Sequence, residues 1–106
     1  MSTIRPAVAT ITAPSSEMAE RIARRLVAER LAACVQLVEP IRSIYRWQGA
    51  IEEDREVLLI VKTAEDRIHR IHEVLRELHP YEVPELVAVP VTAGSSTYLS
   101  WLADSL

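Results

Sequence analysis

At 106 residues, 49% apolar and 25% charged with a net charge of −3, the chain is sized for one globular domain spanning residues 1–106. It has no basic excess to neutralise phosphates, which argues against a nucleic-acid partner. No apolar run approaches the roughly 20 residues of a membrane span, Met1 to Pro6 holds no leader-like segment, and the lone Cys34 excludes an internal disulfide framework, which together favour the cytoplasm.

Ala7 to Ala13 alternates as a first strand, with Ala7, Ala9, Ile11 and Ala13 on one side. Pro14 stops it, and Ser15 or Ser16 can cap a helix from about Ser16 to Arg30 whose Ile22 and Leu26 lie on one stripe. Arg21, Arg24, Arg25 and Glu29 read as its solvated face. Cys34, among apolar neighbours, reads as a buried, inert thiol.

A second strand spans roughly Cys34 to Trp47 with Pro40 inside it. Pro40 cannot donate to a ladder, so a bulge or bend is expected within Val38–Ile41. Gln48-Gly49-Ala50 makes the hairpin turn, with Gly49 available for positive φ. The third strand, Ile51 to Thr63, opens on Glu52-Glu53-Asp54 and closes on the continuous apolar run Val57–Val61, which predicts burial on both faces. In so short a chain, one of those covers could be another subunit. Lys62 ends the run, as a solvated strand end or a cleft-facing cation.

A second helix is expected from about Glu65 to Leu78, with Ile68, Ile71 and Leu75 inward. His69 and His72 at i, i+3 read as surface histidines. The block His79-Pro80-Tyr81-Glu82-Val83-Pro84-Glu85 follows. Its two prolines fix φ and push His79 and Val83 out of helical geometry, so it is a stiff extended connector. It is either a plain αβ connection or a place where an imidazole, a phenol and carboxylates converge as a site. A buried strand from Glu85 to Val91 and a short helix from Thr97 to Ser105 complete the chain.

The order β-α-β-β-α-β with a terminal helix is the ferredoxin-like split pattern, α/β in composition and α+β in layout. Two isolated glycines cannot form a phosphate-cradling loop, and there is no CxxC, HExxH or nucleophile elbow. Nothing in the residues specifies a reaction, and the chain is not expected to be an enzyme.

Six blocks in order resemble the CutA family of divalent-cation tolerance proteins: Thr12-Ala13-Pro14, Leu31 to Val35, Ser43 to Gly49, Glu56 to Thr63, His79 to Glu85, and Tyr98 to Leu102. The resemblance implies a ferredoxin-like subunit in a compact homotrimer, laid out like PII signalling proteins, and a link to tolerance of copper and other divalent cations. Of the ligands proposed in copper-binding relatives, only Glu85 is matched; Ile11 and Leu78 stand where a cysteine and a histidine would be. His79 is the substitute imidazole, so His79 and Glu85 are the candidate metal ligands. The competing expectation is a signalling or adaptor trimer with a small ligand in an inter-subunit cleft lined by Tyr45, Trp47, Lys62 and Tyr81.

Overall fold

The computed structural model describes residues 4–106; the first part of the Met1–Pro6 stretch lies outside the described residues. The elements are β1 (Pro6–Ala13), α1 (Ser16–Ala28), β2 (Cys34–Trp47), β3 (Ala50–Ala64), a 3-10 turn (Glu65–Arg67) running into α2 (Ile68–Leu78), β4 (Val87–Pro90) and α3 (Ser96–Asp104). The four strands form one sheet in the order β2-β3-β1-β4, with every neighbouring pair antiparallel. The fold is mixed α+β.

Local chemistry accounts for the boundaries. Ser15 caps α1 by accepting from the Met18 amide. The helix ends at Ala28, earlier than its apolar stripe suggests, because Arg30 adopts left-handed geometry at φ 58°. Leu31 N–H then reaches the Leu26 carbonyl at 2.9 Å, and Arg30 N–H reaches that of Val27 at 3.1 Å. This pair of closing bonds is the Schellman arrangement, with arginine where glycine is usual. At the other end of the domain, Pro80 holds His79 extended (φ −80°, ψ 132°) and terminates α2.

The helical layer covers one face of the sheet. Ala9, Ile11 and Ala13 of β1, with Val57, Leu59 and Val61 of β3, are buried against Ile22 and Leu26 of α1 and Ile71 and Leu75 of α2. The opposite face holds Val8, Thr10, Leu58 and Ile60, which are only half-buried. The expected burial of β3 on both faces is therefore met on one face within the chain. β4 also departs from expectation: it is shorter and fully exposed, because it is an edge strand carrying Pro90, which has no amide to donate.

β2 and β3 outrun the rest of the sheet. β1 pairs only with Val57–Ala64, so Ile41–Trp47 and Ala50–Glu56 form a two-stranded arm, turned at Gln48 (φ 48°) and Gly49 (φ 82°). The molecule is accordingly long, 49 × 25 × 22 Å. The register shifts between Val38 and Ile41, where the cis Glu39–Pro40 bond lies. Glu39 and Pro40 together oppose the single Val57, a bulge of one extra residue.

Leu59 is fully buried at the centre of the helix-covered face. Leu59→Ala should cost about 2–5 kcal/mol, read as a lowered urea midpoint, since the removed methyl groups leave a cavity that the sheet cannot collapse to fill.

Candidate functional site

The connector His79–Glu85 leaves the end of α2 in the helical layer and wraps past the end of β1 to the uncovered sheet face. It is anchored at its first residue. His79 is buried, with Nε2 2.7 Å from the Thr12 carbonyl oxygen, and Nδ1 3.2 Å from the Tyr81 backbone nitrogen. A carbonyl only accepts and an amide only donates, so the ring is the neutral tautomer with its proton on Nε2. Both ring nitrogens are thereby occupied.

Tyr81 continues the chain of contacts. Its ring lies 4.6 Å from that of His79, centroid to centroid, and its hydroxyl donates to Glu56 Oε2 at 3.0 Å. Glu56 is buried, which a carboxylate tolerates only when hydrogen-bonded. Burial, then this bond, push the Tyr81 phenol up to about 12. On the arm, Tyr45 donates to Asp54, and that bond above all raises its phenol to about 12. Farther along the connector, Glu85 Oε2 accepts from Thr10 Oγ1 at 2.8 Å.

Between the connector and the root of the arm lies an open cleft of about 880 Å³. Tyr45, Trp47, Tyr81, Glu56, Glu82 and Glu85 are on its walls, with Thr12 and Ser43 at its floor strands and the prolines 80 and 84 on the connector side. The bulge sets this lining. Past it, Ile41 faces Glu56, Ser43 faces Asp54 and Tyr45 faces Glu52, so the aromatic residues of β2 and the acidic residues of β3 project from one side of the arm.

Tyr45, Trp47, Tyr81 and Glu85 thus come together at one cleft. Two other expected site residues do not. Lys62 lies outside the lining, six positions along β3 from Glu56, and its Nζ donates to Gln36 Oε1 at 2.8 Å. His79 also lies outside the lining, and both of its ring nitrogens are engaged by backbone groups of this chain. Among the described residues no three His, Cys, Asp or Glu side chains converge in a way that could hold a metal ion. The described residues of one chain therefore do not fit a closed metal centre. Cys34 is half-buried, opposite Lys62 in the ladder, and is not enclosed as expected. Glu56 and Thr12 are cleft residues that the sequence reading does not single out. The signal for Glu56 is the alternation Glu52, Asp54, Glu56 before Val57, readable only once the bulge is counted, and Thr12 carries none.

Residues 7–105 match the family described as CutA1 divalent ion tolerance protein. The divalent-cation tolerance protein CutA of Thermus thermophilus is 51% identical over 98 residues, covering 92% of this chain and 95% of that protein. Mouse protein CutA is 48% identical over 94 residues, covering 89% of this chain but 53% of the mouse protein, so the chain spans about half of that relative. Among solved structures, the divalent cation tolerance protein (Cut A1) of Thermus thermophilus superposes with a TM-score of 0.92 at 50% identity, covering 94% and 97% of the two chains. CutA1 of Oryza sativa superposes with a TM-score of 0.92 at 41% identity, covering 98% and 96%.

Both cleft tyrosines hold their protons more tightly in the folded state than in an unfolded chain, where tyrosine titrates near 10. Their contribution to stability is fully present below about pH 10 and is lost as pH rises through about 12. Absorbance titration at alkaline pH should show two phenols ionising near 12, one lost in Tyr45→Phe and the other in Tyr81→Phe. His79→Gln, which cannot bridge both backbone groups, should lower stability by about 1–3 kcal/mol through an unmade buried bond, measured by urea unfolding.

Proposed function

Because this chain belongs to the CutA1 divalent ion tolerance family, we propose that it serves the cellular response to divalent metal ions as a cytoplasmic homotrimer of ferredoxin-like subunits. It binds copper or another divalent cation weakly, through open carboxylates and not through a dedicated cage. The observation that carries this reading is the cleft held open by the His79–Tyr81–Glu56 chain, with the exposed carboxylates of Glu82 and Glu85 at its mouth. A carboxylate with free oxygen lone pairs suits a borderline or hard cation, and the lack of a convergent set keeps the affinity low.

Trimer formation is supported by apolar surface that one chain leaves uncovered. Ile44 and Ile51 on the arm are 65% and 72% exposed, and Val87 and Val89 on the edge strand about as much. Contiguous exposed apolar residues of this kind mark association surfaces. The strand order β2-β3-β1-β4 supports the ferredoxin-like assignment. The lone cysteine suits a reducing compartment.

A second reading has a specific observation in its favour. Tyr45, Trp47 and Tyr81 present three rings to a cleft large enough for a small molecule, as in a PII-like signalling or adaptor trimer with its ligand between subunits.

Sedimentation equilibrium should give about three times the 11.9 kDa chain mass, and a monomer would overturn the assembly. In a Cu(II) titration against a competing chelator, Glu85→Gln should weaken binding about threefold or more, as expected for loss of one charged ligand. The double variant His69→Ala, His72→Ala is the control, since both imidazoles are exposed on α2. Loss of copper binding in that control alone would remove the metal from the cleft.

A further inference from the structure

The charge on the cleft walls is unequal. Glu56, Glu82 and Glu85 contribute carboxylates, and Asp54 is bonded to the lining Tyr45. Against these stands one basic lining residue, Arg46, between Tyr45 and Trp47 on β2, so the carboxylates on the walls outnumber it. An anionic ligand would meet like charge here, at a cost that discriminates strongly against it.

The aromatic residues point to the same sign of ligand. Tyr45, Trp47 and Tyr81 remain 37–40% exposed as residues, so they are accessible to a guest. A ring face is negative and attracts ammonium and guanidinium groups, Trp most strongly. Both tyrosines donate their hydroxyl protons to carboxylates, which makes each ring richer in electrons and holds it in place.

Spacing narrows the class. Of the lining carboxylates, Glu56 stands on β3 and Glu85 is held at Thr10, whose register partner Ile60 is four residues farther on. At about 3.3 Å per residue, these two acidic positions are separated by roughly 13 Å along the sheet. The same lining holds the three rings and the prolines 80 and 84. A compact metal ion could use one of these carboxylates at a time. An extended chain with charges at intervals could use all of them.

We propose that the cleft takes a linear aliphatic di- or polyammonium ion, its methylene groups against Trp47, Tyr81 and the connector prolines and its ammonium groups at the carboxylates. This rests on the cleft being the ligand site, as proposed above, and is independent of metal binding.

Calorimetric titration of the protein with spermidine tests it, alongside Cu(II) and ATP. Saturable spermidine binding is expected, weakening with added salt. Glu85→Gln, or Glu82→Gln should the first variant fail to fold, weakens it by about threefold or more. Trp47→Phe keeps an apolar ring with a weaker negative face and weakens spermidine by about two- to fivefold while leaving Cu(II) unchanged. Glu17→Gln on α1, the same change in net charge away from the cleft, has no effect. Spermidine binding that falls equally in Glu17→Gln and Glu85→Gln is general attraction to an acidic chain and overturns the proposal, as does absence of binding or preference for ATP. Loss of Cu(II) binding with spermidine retained overturns the metal reading alone.

Discussion

The imidazole of His79 lies between a carbonyl at the end of β1 and an amide of the connector, and the cleft depends on that placement. Two prolines stiffen the connector but cannot say where it docks. The ring does, because its two nitrogens have opposite polarity and each has one acceptable partner. Tyr81 is thereby brought over β3, where its hydroxyl satisfies Glu56. Remove the imidazole and the buried carboxylate loses its aligned donor, at a cost larger than that of the single bond. The imidazole is thus a joint between β1 and the connector.

The bulge at Glu39–Pro40 has equal influence on what the cleft contains. With a side-chain period of two, an extra residue exchanges the faces of everything beyond it. Val38 and Ile41 therefore both project to the uncovered face, facing Leu58 and Glu56. In a regular ladder through both Glu39 and Pro40, Arg42 and Ile44 would instead stand opposite Asp54 and Glu52, in place of Ser43 and Tyr45.

Much of this was legible in the amino-acid sequence because the determinants are local. Pro14, Pro40, Gly49 and Pro80 mark a strand end, a bulge, a turn and a helix end, and the apolar spacing of Ile71 and Leu75 identifies the buried side of α2. Other features depended on distant partners. The role of His79 is set by Thr12, 67 residues away, and Lys62 is drawn off to Gln36 across a ladder. The exposure of β4 follows from its place at the sheet edge, which its Val-Ala-Val composition does not encode. The left-handed Arg30 closing α1 carries no glycine to announce it.

The arm formed by Ile41–Trp47 and Ala50–Glu56 has no third strand beside it among the described residues. A two-stranded ribbon in water is marginally stable by itself, whereas Val57–Val61 are tied into the core. The two walls of the cleft therefore belong to regions that open at different free-energy cost. The connector wall moves only with the core to which His79 pins it, and the arm wall can fray and re-form while the core stays folded. Whatever binds across both walls, whether ligand or neighbouring chain, raises the protection of the arm amides toward that of the core.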